Sequence, residues 1–209
     1  MDTRNTAGSS NQGTIRLATI LAGFAASAAL AAAPASAQMA RPLTVAAAAH
    51  PQLDDPTIVA IFDAANTWDM ETAALALQKS RNKDVRTFAH MMAHDHRAVR
   101  QLGRDLAKKL SVKPTPPGKD FELYQAHLAA MKTLRSAKRG AALDRAYADH
   151  EVAYHQAVID AVTTTLLPAT QNAELKNLET TVAPNFQAHL LAAKKLQADL
   201  KTTTASSKR

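Results

Sequence analysis

The sequence contains no cysteine and has little glycine or aromatic side chain. Without cysteine, disulfides, thiolate catalysis, cysteine-ligated zinc and a lipid anchor on cysteine are all excluded. Six glycines and 4% aromatic residues are too few for the turns and strands of an all-β sandwich or barrel. The 209 residues are instead 46% hydrophobic, mostly alanine and leucine, which favour helices. The composition therefore predicts an all-α protein.

The N-terminus has the three parts of a secretory signal peptide. Arg4 and Arg16 lie in a polar segment, residues 17–33 form an apolar run, and the small triplet Ala-Ser-Ala occupies 35–37. We predict that residues 1–37 are removed by the general export pathway, which makes the protein periplasmic or associated with the outer membrane. An uncleaved membrane anchor is the alternative, but a span needs about 20 strongly apolar residues.

The net charge of +7 falls to +6 once the signal peptide is removed. A basic exported protein is expected to contact anionic surfaces of the cell envelope. A solvated basic surface without a partner is the alternative. No nucleic-acid partner is expected, because export removes the protein from DNA and no Lys/Arg stripe with interleaved aromatics is present. No segment after residue 37 has the length and apolarity of a membrane span.

Hydrophobic periodicity predicts four long helices and one shorter helix. The long helices are predicted at 55–80, 83–110, 141–167 and 172–200, and the shorter one at 120–137. Asp55 is the predicted N-cap of the first helix, with Pro56 at the first helical position. Residues 38–54 are interpreted as a flexible lead-in, 55–200 as the helical domain and 201–209 as a disordered tail.

The lengths of the connections predict how the helices are arranged. Two tight hairpins joined by a longer, partly helical connection are typical of a ferritin-like four-helix bundle. The shorter helix then lies in the connection between the second and third long helices. An up-down-up-down bundle with a capping helix is the alternative.

Titratable side chains interrupt the apolar stripe of every long helix. Five such residues are spaced three or four positions from apolar residues of a stripe and therefore occupy core positions. They are Asp69 on the first helix, His96 on the second, Glu151 and His155 on the third, and His189 on the fourth. Distances from the connecting turns predict that Asp69 lies level with His96, and Glu151 with His189.

Five buried titratable residues must satisfy one another or hold an ion, because an unpartnered buried charge costs several kcal/mol. Three imidazoles and two carboxylates suit Fe, Mn, Zn or Cu. These residues therefore predict a transition-metal site with a metal-handling, redox or stress role. The alternative is a metal-free structural or stress-related envelope protein with a buried hydrogen-bond network. A hydrolase is disfavoured, because the sequence has no nucleophile elbow or glycine-rich oxyanion turn.

Other polar residues are assigned lesser roles. Glu71 lies beside the stripe and is interpreted as solvated, with support of a metal ligand as the alternative. His90 and His94, with Met91, form an alternative soft-metal site on an exposed face. Pro184 predicts a kink in the last helix. Three histidines without an evident partner are assigned to the surface: His50, His127 and His150.

The sequence resembles the exported bacterial family called domain of unknown function 4142, whose members are ferritin-like and often labelled predicted outer membrane proteins. The matching segments are 66–69, 85–89, 95–96, 144–147, 151–161, 167–168, 172–176 and 184–190. The resemblance covers about residues 57–198 and is most specific over the third and fourth long helices. It implies the fold and export, and the five titratable residues fall on recurrent polar positions of the family.

The resemblance implies no activity, and the di-iron carboxylate pattern is not met. That pattern needs Glu-x-x-His on two helices. The residues three positions before the candidate histidines are Ala93, Val152 and Phe186. The sequence therefore argues against di-iron oxidase chemistry and leaves a mononuclear or differently bridged site open.

Overall fold

The computed structural model describes residues 53–206, except 117 and 120. The predicted signal peptide and nearly all of the predicted lead-in lie outside these residues. Helices and turns make up the described residues, with no strand among them, which confirms the all-α fold class. The helices are α1 (Asp55–Lys79), α2 (Lys83–Lys109), α3 (Glu122–Ser136), α4 (Ala141–Ala161) and α5 (Ala173–Ser206). A π-helical turn, Val162–Leu166, and a short helical turn, Leu167–Ala169, extend α4.

Three helices begin where side chains cap the free backbone N–H groups of the first turn. Asp54 accepts from the N–H of Thr57 at the start of α1, so the cap lies one residue before the predicted Asp55. Asn82 and Asn172 cap α2 and α5 in the same way. At its other end, α5 continues to Ser206, so the segment predicted as a disordered tail is helical over residues 201–206.

Two contacts fix the direction of the helices. Asp55 accepts hydrogen bonds from the backbone N–H groups of Gln171 and Asn172, at 2.8 and 2.9 Å, and so places the start of α1 beside the α4–α5 turn. Ser80 donates to Asp144 at 2.5 Å and places the α1–α2 turn beside the start of α4. Helix α4 is therefore antiparallel to α1 and parallel to α2. The connection containing α3 crosses the length of the bundle, which confirms the ferritin-like arrangement over the up-down-up-down alternative.

Each long helix packs on two others, in the order α1, α2, α5, α4 around the bundle, and α3 lies against α1 and α4. The apolar core forms two clusters. One includes Phe62, Val99, Val158 and Phe186, and the other includes Ala73, Met92, Tyr147 and Ala193. Every long helix contributes to both clusters, so a layer between them is left for the polar residues. No helix in the described part of the chain is long and apolar enough to cross a membrane.

Lys79 fastens the end of α3 to the bundle. Its Nζ donates to the carbonyl oxygens of Leu134, Arg135 and Ala137 at 2.7, 2.8 and 3.0 Å. These carbonyls have no helical donor, because they belong to the last turn of α3. Since hydrogen bonds to a charged donor are among the stronger ones, we expect Lys79→Met to lower the free energy of unfolding by about 1–3 kcal/mol.

The measurement is urea denaturation of the two proteins under the same conditions. Lys83→Met is the matched control, because Lys83 is exposed in the first turn of α2 and makes no such contacts. Equal losses for both variants would show that the three carbonyl contacts do not stabilise the bundle.

Candidate metal centre

The polar layer between the two apolar clusters contains all five residues that the sequence predicted. The five are almost inaccessible to solvent, with exposed fractions from 0 to 5%. Donor atoms of His96, His155 and His189 lie within 4.8 Å of one another, as do those of Asp69, Glu151 and His155. The two groups share His155, so the five side chains form one cluster drawn from α1, α2, α4 and α5.

Asp69 lies at the middle of this cluster. Its Oδ2 is 3.5 Å from His96 Nε2 and 3.7 Å from His155 Nε2, and His155 Nδ1 is 3.5 Å from Glu151 Oε2. The three imidazole rings have centroids 5.2 to 5.6 Å apart. Asp69 and His96 therefore lie at one level of the bundle, as the spacing from the α1–α2 turn predicted.

The hydrogen-bond network fixes the tautomer of His96. Its Nδ1 lies 2.9 Å from Asn66 Oδ1, while the amide nitrogen of Asn66 donates to the carbonyl of Phe62 at 2.8 Å. The Asn66 oxygen must therefore accept, so His96 donates through Nδ1 and its Nε2 holds a lone pair. That lone pair faces Asp69 and makes no hydrogen bond.

The same reasoning applies to the other two histidines. His155 Nδ1 lies 3.0 Å from the backbone carbonyl of Glu151, and His189 Nε2 lies 3.0 Å from Asp95 Oδ2. A carbonyl and an ionised carboxylate only accept, so these nitrogens carry the hydrogens. The remaining lone pairs, on His155 Nε2 and His189 Nδ1, are buried and have no hydrogen-bond partner. All three imidazoles thus keep a free donor atom inside the cluster, in the form in which metal-binding histidines are held.

Burial changes the pKa of four residues of the cluster. It raises the pKa of Asp69 to about 8. Burial, followed by the charge of Asp69, also raises the pKa of Glu151 well above its usual value. Burial and the neighbouring histidines lower the pKa of His96, and burial lowers that of His155 to about 4. Without a cation, both acids keep their protons and both imidazoles are neutral near pH 7.

The unsatisfied atoms test whether a metal ion fits this site. Both oxygens of Asp69, Oε2 of Glu151 and the three inward nitrogens are buried without a hydrogen-bond partner. A tetrahedral ion with ligands at about 2.1 Å keeps its donors roughly 3.4 Å apart. The observed separations of 3.5 and 3.7 Å around Asp69 are close to that value. A cation would supply both the missing charge and the missing partners, so the donor set fits one.

Sequence periodicity missed two residues that orient the ligands. Asn66 holds His96, and it could have been found, because it lies on the same α1 stripe three residues before Asp69. Asp95 holds His189, 94 residues away in the sequence. Asp95 is adjacent to His96 and therefore lies off the core stripe, so no periodic signal points to it.

Among the lesser polar residues, Glu71, His90 and His94 are exposed as assigned, whereas His127 and His150 are not. Glu71 does not join the cluster but pairs with His127 at 3.0 Å. His127 is buried and stacked on Trp68, so its assignment to the surface was wrong, because aromatic packing on α1 covers it. His150 is half-buried with its ring beside Tyr154. His90 and His94 are exposed as predicted, and His50 lies outside the described residues.

Comparison with known proteins agrees with the fold. No protein of curated function matches the sequence. Among solved structures, the chain is similar to one described as "CopM in the Cu(II)-bound form", with a TM-score of 0.53 over 70% of this chain and 98% of that chain. At 16% identity, this likeness shows the fold alone. Residues 40–196 match the family described as "Domain of unknown function (DUF4142)". Because this match spans most of the chain, the protein belongs to the DUF4142 family.

Proposed function

We propose that this protein is an exported metal-handling protein that binds copper(II) inside its helical bundle. The ligands are His96, His155 and His189 together with Asp69, and Glu151 lies beside them as a further carboxylate. The observation that carries the proposal is the convergence of three imidazole lone pairs, each oriented by an outer hydrogen bond, on a carboxylate without any partner.

The chemistry of the donors is suitable for copper(II). Imidazole and carboxylate suit divalent copper, whereas copper(I) prefers thiolate and thioether. Copper(II) also binds a given set of nitrogen and oxygen ligands more tightly than the other divalent first-row metals. The similar fold of CopM in its Cu(II)-bound form supports the same choice.

The burial of the cluster favours binding and transfer of the ion over catalysis. Catalytic metal sites keep a ligand position open to substrate, whereas closed sites surround the ion with protein donors. Here the exposed fractions of the ligands do not exceed 5%. A metal-free hydrogen-bond network, the alternative, leaves His96 Nε2, His155 Nε2 and His189 Nδ1 buried without a hydrogen-bond partner among the described residues.

Elemental analysis tests this proposal directly. The mature protein is purified from the periplasm without chelator or affinity-tag metal, and its metal content is compared with that of His96→Ala. We expect stoichiometric copper in the wild type and a large loss in the variant, because His96 supplies one of the inward lone pairs. His90→Ala is the matched control, since it removes an exposed histidine of the same helix.

Competition with zinc(II) and visible or EPR spectra of the loaded protein identify the ion. A folded wild type that takes up no stoichiometric metal would exclude the metal site. That result would favour the structural hydrogen-bond network.

A further inference from the structure

One carboxylate connects the buried cluster to the surface of α2. Asp95 Oδ2 lies 3.0 Å from Nε2 of His189, and Asp95 Oδ1 lies 2.9 Å from Nδ1 of His94. The exposed fraction rises steadily along this line, from 6% for the side chain of His189 to 37% for Asp95 and 81% for His94. The three side chains therefore form a continuous polar line from solvent to the cluster.

The atoms of this line that make no hydrogen bond are suitable ligands for a cation. Because the Asp95 carboxylate accepts from both imidazoles, His94 donates through Nδ1. The Nε2 lone pair of His94 is then left free on a strongly exposed ring. His94 and His189 thus present metal-binding lone pairs on opposite sides of the same carboxylate.

A second approach to the cluster is mainly apolar. A cavity of about 520 Å³ reaches Asn66 and Phe186, which are among the residues that lie against the ring of His96. Its other walls are mainly apolar, including Leu123, Ala157 and Val158. Glu122 and Asp160 also line this cavity, but neither is hydrogen-bonded to a ligand of the cluster, whereas Asp95 is hydrogen-bonded to His189.

We propose that His94 and Asp95 form the loading path of the metal centre. His94 captures copper(II) from solvent through Nε2, Asp95 exchanges one of its hydrogen bonds for the ion, and the ion then passes the ring of His189 to bind its inward Nδ1. This inference rests on the proposed function, because it assigns the route by which that same site is filled. His94 acts on the rate of loading and is not a ligand of the filled site.

The test measures both directions of exchange on the mature full-length protein. Metal-free protein is mixed with copper(II) buffered by glycine, and loaded protein is mixed with excess EDTA. For His94→Ala we expect loading and release to slow by the same factor, roughly tenfold, which corresponds to about 1.4 kcal/mol in the barrier. Equilibrium affinity and copper content stay unchanged, because a path alters the barrier without altering its end states.

His90→Ala is the matched control, since it removes an exposed imidazole one turn earlier on α2 without touching Asp95. Asp95→Asn should slow loading and also weaken affinity by about 10–100-fold, as expected when an outer partner of a ligand is lost. Wild-type rates in His94→Ala would overturn the path, as would equal slowing in His90→Ala. A loss of affinity in His94→Ala would make His94 a ligand instead. A wild type that takes up no copper at all would contradict the proposed function, which is a distinguishable result.

Discussion

His155→Asn is expected to weaken copper(II) binding by more than about 100-fold while the bundle stays folded. His155 belongs to both donor groups of the cluster, and its Nε2 lies 3.7 Å from Asp69 Oδ2. Loss of a residue that hydrogen-bonds to a metal ligand typically weakens metal affinity about 10–100-fold. Loss of a ligand that belongs to both donor groups should therefore weaken it more. Asparagine retains a polar side chain of smaller volume, so the site loses its imidazole without gaining a charge.

The measurement is a copper(II) titration against a competing chelator, with circular dichroism to verify the helical content. His150→Asn is the matched control, because His150 is a neighbouring histidine on α4 that belongs to neither donor group. If His155→Asn bound copper(II) with wild-type affinity, His155 would not be a ligand of the metal centre. Equal weakening by both substitutions would indicate a general disturbance of α4.

The second large effect concerns the metal-free protein, which is expected to lose stability as the pH rises from 6.5 to 8. Burial raises the pKa of Asp69 in the folded state to about 8, whereas the same carboxyl in the unfolded chain titrates near 3.8. The unfolded state therefore releases its proton first, and higher pH favours unfolding until the folded carboxyl also ionises. At about 1.4 kcal/mol per pH unit, the titration of Asp69 alone lowers the free energy of unfolding by roughly 2 kcal/mol between pH 6.5 and 8.

The titration of His96 and His155 is the reason that the comparison begins at pH 6.5. Burial lowers the pKa of His96, and lowers that of His155 to about 4, from a value of 6.5 in the unfolded chain. The unfolded chain therefore gains protons first as the pH falls below 6.5, and stability is lost toward pH 4. Between pH 4 and 6.5 the histidines and the carboxyls act in opposite directions. The effect of the carboxyls is therefore clearest above pH 6.5.

Urea denaturation at pH 6.5 and pH 8 in the presence of a chelator measures this loss. Asp69→Asn should reduce it, because the amide does not titrate. Asp63→Asn is the matched control on α1. Partial burial raises the pKa of Asp63, but the hydrogen bonds that Arg104 and Arg100 donate to it outweigh burial and keep the pKa below its usual value. The same pH dependence in wild type and Asp69→Asn would contradict a neutral buried Asp69.

Metal loading should reverse the pH dependence of the wild type. Copper(II) binds the ionised carboxylate and neutral imidazoles, so its affinity increases as protons leave. The stabilisation gained on loading is therefore expected to be larger at pH 8 than at pH 6.5. Asp69→Asn should lose most of this gain, which separates metal binding from the intrinsic titration of the fold.

The helices were predictable because their boundaries depend on neighbouring residues in the sequence. Helix α2 was predicted at 83–110 and occupies Lys83–Lys109, with Asn82 as its cap. Caps and helix-breaking prolines act within one turn, so they can be identified without the tertiary structure. The π-helical turn Val162–Leu166 could not be predicted in this way. No pattern of spacing marks it in the sequence.

The assignment of faces was less reliable in the short helix α3. The apolar stripe of this helix includes Leu128, yet Leu128 is 45% exposed and the neighbouring His127 is buried. His127 stacks on Trp68 and pairs with Glu71, both of which belong to α1. A helix of 15 residues offers few turns from which to define a face. The partner on α1 therefore decided which side of α3 was covered.

The helices, their apolar stripes and the five titratable residues that interrupt the stripes follow from the amino-acid sequence alone. They do so because the helical period fixes which side chains of one helix share a face. Tertiary contacts decide which nitrogen of each imidazole faces inward and which acids keep their protons. Those properties depend on contacts such as Asn66 with His96 and Asp95 with His189, which join residues 30 and 94 positions apart. They also depend on the complete burial of Asp69, which exists only when all four helices have packed.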